Sequence, residues 1–267
     1  MARFDCGEGR SVYYEHYRGI GTPVVLIHGW AMSSRIWAGT IEALMAAGHE
    51  VIAVDLRGCG QSNRDFADLS LAALAGDVVG IVGGATDRPV VLNGWSLGGA
   101  VAAEAARLLG AQTAGLVLTC GASPRFTRTD DFPYGGTAEG LDATAAALAA
   151  DRAGFFRALA GMVCAREVSP ATVDWMWAAF IDSGPGVIRS LLDLADLDQR
   201  PLLRELEAPV LSIVGSADAV LESQVGIEAA KLARHGTVAV FDGCGHAPFI
   251  EDAPAYMAAL QQFLTGL

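Results

Sequence analysis

Chemistry is most densely encoded at Gly94-Trp95-Ser96-Leu97-Gly98, where a serine is framed by glycines two residues to either side. The run follows a strand-like stretch ending near Asn93 and precedes a helix-like stretch opening at Leu97. A strand-to-helix turn this tight strains the serine backbone and raises its hydroxyl above the strand ends. Glycines at 94 and 98 remove side chains that would collide with the neighbouring strand and helix. At a helix N-terminus, free N–H groups and the positive end of the dipole favour developing negative charge. Ser96 is thus a candidate nucleophile, but a weak one until a base takes its proton and a carboxylate orients that base.

Five histidines compete for the role of base. His16 falls on an edge-strand pattern, His49 precedes a strand, and His235 sits in a polar loop; each reads as a surface or packing residue. His246 differs: Gly243-Cys244-Gly245-His246-Ala247-Pro248 follows the last strand-like run, where a loop can reach back over a sheet. For the carboxylate, Asp218 follows the run 210–214 through Gly215-Ser216-Ala217 and so also stands at a strand end. Asp193, Asp196 and Asp198 are rivals only if their segment folds back, and their spacing reads as a solvated helix face. Attack on a carbonyl creates an oxyanion that needs preorganised donors. His28-Gly29-Trp30 offers the backbone N–H of Trp30, and Leu97, the residue after the nucleophile, offers a second. His28 itself reads as a structural histidine that hydrogen-bonds its loop. The glycine-rich loop from Asp55 to Ser62 reads as architectural.

These residues need a scaffold that gathers strand ends. Runs at 24–27, 51–54, 90–92, 116–118, 210–214 and 238–241 are short, largely β-branched and without polar alternation, as in strands buried on both faces of a parallel sheet. Helix-like stretches at 36–47, 71–82, 97–109, 223–233 and 254–264 alternate with them. That rhythm predicts an α/β, mostly parallel, doubly wound sheet of about eight strands, with 11–17 as an antiparallel edge strand. The rhythm fails between about 123 and 200, where helical patterns occur at 143–150, 154–164 and 171–181. We expect a core of residues 1–122 and 201–267 and a helical cap of 123–200. The cap is rich in Phe155, Phe156, Trp175, Trp177 and Phe180, which suit an apolar face.

Composition narrows the rest. With 52% hydrophobic residues the chain can bury a large core, and 18 basic against 30 acidic side chains give a net charge of −12. The field of such a chain repels phosphate backbones and anionic lipid, so neither nucleic acid nor a membrane is an expected partner. The first nine residues lack a signal-like apolar core, no apolar run is long enough to span a bilayer, and the reading is a soluble cytoplasmic monomer. Cys6, Cys59, Cys120, Cys164 and Cys244 are widely spaced without a C-x-x-C pair, so we expect reduced thiols and neither disulfide nor metal site. Cys244 reads as a buried filler.

Taken together, H-G-W at 28–30, D-x-R-G-x-G-x-S at 55–62, G-W-S-L-G-G at 94–99, and G-x-x-D followed by G-H-A-P-F-I resemble the α/β-hydrolase superfamily over nearly the whole chain. Ala122-Ser123-Pro124-Arg125-Phe126, Asp131-Phe132-Pro133 and 197–202 (Leu-Asp-Gln-Arg-Pro-Leu) make it most similar to the pimeloyl-carrier-protein methyl esterases of biotin synthesis. The resemblance implies a carboxylesterase without cofactor, with Ser96, Asp218 and His246 as its triad. It also implies an acyl pocket lined by Trp30, Trp95, Ser96, Leu97, His246 and a cap phenylalanine, Phe156 in preference to Phe155. Its substrate would be a small ester, in that subfamily borne on an acyl-carrier protein docked on cap arginines, of which Arg152, Arg157 and Arg166 are on offer. The rival readings are a C–C hydrolase, perhydrolase or lactonase on the same fold, and a non-catalytic small-molecule receptor.

Overall fold

The computed structural model describes residues 2–267. Eight strands form one sheet: β1 (Ala2–Asp5), β2 (Ser11–Tyr17), β3 (Gly21–Ile27), β4 (His49–Val54), β5 (Val90–Trp95), β6 (Thr113–Thr119), β7 (Val210–Gly215) and β8 (Gly236–Phe241). Their spatial order is β1-β2-β4-β3-β5-β6-β7-β8. β1 and β2 are antiparallel to their neighbours and the remaining pairings are parallel. β3 to β5 are buried because helices cover both faces, and this explains their unbroken apolar runs.

The first helix, α1 (Ala38–Ala46), carries the chain from β3 across to β4. Next, α2 (Leu71–Ala85) carries it back over β3 to β5, and α3 (Leu97–Leu109) onward to β6. Because parallel crossovers are right-handed, a reversal of direction moves the connecting helix to the other face. The strand order therefore switches direction between β3 and β5, and the crevice beyond the carboxyl ends of those two strands is where such sheets bind ligands. Ser96 follows β5 and Gly29-Trp30 follows β3, so both open into that crevice.

Between β6 and β7 the chain leaves the sheet and forms α4 (Ala138–Ala150), α5 (Arg152–Met162), α6 (Pro170–Ile181), α7 (Ile188–Leu192) and α8 (Arg200–Glu205). Side-chain caps start three of these helices: Thr137, Asp151 and Ser169 accept from the amides of Gly140, Gly154 and Thr172. The sheet is completed by α9 (Ser223–Leu232), α10 (Pro248–Glu251) and α11 (Ala253–Thr265). No helix among the described residues is long and apolar enough to cross a membrane.

Two expectations for the sheet need correction. β2 is antiparallel but is not the edge, because β1 pairs outside it; four residues reading Ala-Arg-Phe-Asp carry too little pattern to announce a strand. β8 is not buried on both faces, since Val238 and Val240 are 40% and 57% exposed. It ends the sheet, with a neighbour on one side only.

The bend around Ser96 depends on glycine. A Cβ on Gly94 would overlap the carbonyl of Gly98, and one on Gly98 would lie 2.5 Å from the carbonyl oxygen of His28. On Gly99 it would lie 2.6 Å from the Cα of Gly121. Since these obstacles are backbone, Gly98→Ala is expected to lower unfolding stability by about 1–3 kcal/mol. In urea titration the midpoint should fall with an unchanged slope, as for a loss of stability without loss of compactness; an unshifted midpoint would show that the bend yields freely.

Candidate active site

Ser96 adopts φ 55°, ψ −124°, a left-handed conformation in a residue that is not glycine. Such a backbone costs about 1–3 kcal/mol and persists only where the surroundings over-determine it. Here the Ser96 amide donates to Thr119 O at 3.1 Å, and its carbonyl accepts from Gly99 and Ala122 amides at 2.8 Å each. The bend is thereby tied to β6 and to its own helix. Leu97 occupies the first turn of α3, where backbone N–H groups have no intrahelical acceptor.

Asp218 and His246, 28 residues apart, meet at the carboxyl ends of β7 and β8, where His246 Nδ1 lies 2.7 Å from Asp218 Oδ2. The other carboxylate oxygen accepts from the amides of Val220 (2.8 Å) and Leu221 (3.0 Å). Burial alone would push this carboxyl up, but the charge and hydrogen bond of His246 and the two amides outweigh it and hold the group below its ordinary range. An ionised Asp218 fixes the proton on Nδ1 and leaves Nε2 as the free basic nitrogen. That Nε2 is buried and has no hydrogen-bond partner among the described residues, and His246 lines the same cavity as Ser96.

The backbone of His246 is held from three directions. Its amide donates to Val163 O at 2.7 Å, its carbonyl accepts from Trp95 Nε1 at 2.7 Å, and Glu251 accepts from the amide of Gly245. Glu251 also takes the amides of Ala165 and Arg166. None of these contacts was legible in the sequence, because Trp95 reads as part of the serine motif and Val163 as an ordinary apolar residue of the cap. Cys120, also unanticipated, brings its thiol to the same place: ligand atoms of Cys120, Asp218 and His246 lie within 4.8 Å of one another. Burial, and then the negative charge of Asp218, push this thiol well above its ordinary value, so it stays protonated. The trio could bind a soft metal only by losing the thiol proton and the His246–Asp218 bond, so metal binding and proton transfer at this position exclude each other.

His28 is a structural histidine, as expected. It is fully buried, its Nε2 accepts from the Leu56 amide at 2.9 Å, and Nδ1 lies 2.7 Å from Gly29 O. Asp55 in turn accepts from the amides of Ser34 and Gln61, and Ser62 Oγ donates to Asp55 O, so the 55–62 loop is architecture. The rival aspartates do not reach His246. All three are exposed, as expected, but they lie in the turn and loop after α7 rather than on a helix; Asp193 accepts from the Leu71 amide and Asp198 pairs with Arg125 and Arg200.

A cavity of about 280 Å³ opens over Ser96 and His246. Its walls include Trp30, Trp95, Phe126, Phe155, Leu159 and Val220, and no charged side chain lines it. Trp30 is fixed by an indole bond to Val187 O at 3.0 Å. Here the preference for Phe156 is corrected: Phe155 lines the cavity, whereas Phe156 is wholly buried behind it, stacked on Phe180 with ring centroids 5.5 Å apart. Helical periodicity does not separate two adjacent phenylalanines when the helix packs on both sides. The three cap arginines are all engaged within the chain: Arg152 with Ser183, Arg157 with Asp174, Arg166 with Asp252.

A serine on a strained strand-to-helix bend beside the switch point, with a carboxylate and a histidine brought in after later strands, is the arrangement of an α/β hydrolase, and the chain belongs to that family: the Alpha/beta hydrolase family profile matches residues 24–260. Among its relatives is a pimeloyl-[acyl-carrier protein] methyl ester esterase of Stenotrophomonas maltophilia, 34% identical over 254 residues that cover 93% of this chain and 95% of the relative. The AB hydrolase superfamily protein YisY of Bacillus subtilis is 29% identical over 92% of both chains. In structure the chain is similar to an esterase from Exiguobacterium antarcticum, with a TM-score of 0.92, 26% identity and 97% of each chain covered. It is also similar to a bromoperoxidase from Bacillus anthracis, with a TM-score of 0.90, 26% identity and 96% of each chain covered.

The environment of His28 sets a pH dependence. Burial holds this imidazole below its ordinary value, only partly opposed by Asp55. The unfolded chain, with a pKa of about 6.5, then binds a proton that the folded chain refuses. Stability is full above that pH and falls as pH drops below it, with a slope of up to about 1.4 kcal/mol per pH unit from this one group. Urea midpoints measured between pH 7 and 5.5 should fall less steeply for His28→Gln than for the parent; equal slopes would mean that His28 does not resist protonation.

Proposed function

We propose that the chain is a carboxylic-ester hydrolase acting through an acyl-enzyme. Ser96 Oγ attacks the ester carbonyl, and His246 Nε2 takes the hydroxyl proton and delivers it to the leaving alkoxide. Asp218 holds the imidazole and stabilises its cation, and the amides of Trp30 and Leu97 receive the oxyanion. Water activated by the same His246 then cleaves the acyl-enzyme and returns the proton to Ser96. The observation that carries this reading is the shared cavity of a strained, half-buried serine and a histidine whose one nitrogen is tied to a buried carboxylate while the other has no partner. The chain order Ser96, Asp218, His246, that of nucleophile, acid and base in this fold, supports the same reading.

The wall chemistry supports an uncharged acyl group. A cavity of about 280 Å³ with an apolar lining suits a small uncharged acyl ester. The Stenotrophomonas relative is named for the methyl ester of a pimeloyl chain. Delivery of that chain on an acidic carrier protein is the second reading, favoured by the likeness to that relative. Against it, the cap arginines are spent on internal partners, and α4 displays Glu139 and Asp142 with no basic residue. We therefore place a free small ester first.

Ser96→Ala should lower kcat on a p-nitrophenyl ester by about a millionfold and abolish labelling by a fluorophosphonate probe. Retention of more than about a thousandth of the activity would remove Ser96 from the nucleophile's role. Asp218→Asn, which preserves shape but frees the histidine tautomer, should cost about 10⁴-fold in kcat with little change in KM. A twofold effect would instead assign Asp218 a merely structural part.

A further inference from the structure

The motif around Arg125 and the run 197–202 stand outside the chemistry just described, yet they meet in space. Arg125, only 9% exposed, places Nη1 3.1 Å from Asp198 Oδ2. Asp198 pairs in addition with Arg200 at 2.7 Å, and Arg200 reaches Asp131 at 2.8 Å. The two limbs joined in this way are the one that leaves the sheet after β6 and the one that returns to it before β7. Backbone bonds reinforce the junction: Gln199 N donates to Pro124 O at 2.9 Å, and Thr127 Oγ1 donates to Ala195 O at 2.5 Å. The side chain of Gln199 donates to Ala100 O at 2.8 Å, in the first turn of α3. The junction is thus referenced to the helix that Ser96 begins. Phe126, next to Arg125, lines the cavity, and its carbonyl accepts from Gly136 N.

We propose that the chain Arg125–Asp198–Arg200–Asp131 is a clamp on the neck of the cap that fixes Phe126 as a wall of the acyl cavity, making Arg125 a positioning residue that sets acyl-length specificity. The inference rests on the reading of that cavity as an acyl pocket. A guanidinium so buried is tolerated because its carboxylate partner is present, and removing one member leaves the other uncompensated. Arg200, and to a lesser degree Arg125, hold the Asp198 carboxyl down to about 2, so the clamp remains ionised at any ordinary assay pH. Arg125 does not line the cavity, so its removal acts through Phe126 and falls on substrates long enough to reach that wall.

The test compares p-nitrophenyl acetate with p-nitrophenyl hexanoate. For Arg125→Met, KM for the hexanoate should rise about tenfold, the effect of roughly one misplaced methylene in a pocket, while kcat and KM for the acetate stay within about twofold. Arg125→Lys should recover most of the hexanoate KM. Equal effects on the two esters, or none on either, would overturn the proposal. Asp131→Asn, at the exposed end of the chain of charges, serves if the Arg125 variant does not fold, with the same selectivity expected at smaller amplitude. If the parent hydrolyses neither ester, the proposal is read from amide hydrogen exchange alone. Residues 126–136 should then exchange faster in the Arg125 or Asp131 variant while 97–109 are unchanged, and unaltered exchange at 126–136 would overturn it.

Discussion

The backbone of Ser96 is held where an L-residue does not willingly go, and the surrounding architecture can be read as the means of holding it there. Three glycines clear the space, β6 and α3 supply hydrogen bonds to both sides of the peptide, and the reversal of strand order opens a crevice above. The strain is held in place because the amide and the carbonyl of Ser96 are both bonded to neighbouring backbone. A hydroxyl raised in this way faces the cavity without any movement of the main chain, so the cost of orienting it is met during folding.

The second constraint is electrostatic. Asp218 is buried with three donors aimed at it, so it stays charged in a place that would otherwise neutralise it. A neutral thiol lies beside it, and the cavity in front is apolar. A charge fixed in a poorly polarisable setting acts strongly over short range, so the carboxylate governs His246 while not itself lining the cavity. The ion pairs at the neck of the cap apply the same physics to shape instead of reactivity.

Much of this was legible in the sequence wherever one residue type was demanded by local sterics. Ser96 with its glycines announced itself, as did the helix from Leu97 to Leu109 and the strand runs that the parallel sheet buries. Legibility failed where the determinant is a partner far along the chain. β1 exists because β2 lies beside it, and β8 is exposed because the sheet happens to end there. Phe155 rather than Phe156 faces the cavity because of how α5 is rotated against α6, which no residue in α5 specifies alone. Asp193 and Asp198 are exposed as their polarity announced, but their bonds to the Leu71 amide and to Arg125, 122 and 73 positions away, could not be read from the segment itself.

The amide of His246 is bonded to the carbonyl of Val163, and Glu251 gathers amides from both the histidine loop and residues 165–166. The helical insertion and the His246 loop are in this respect one mechanical part. Exchanging the whole 123–200 segment for that of another hydrolase would therefore import a new cavity roof at the expense of the anchorage of His246. Diversification of this scaffold is channelled toward single side chains along the roof, where the main-chain tether is left intact.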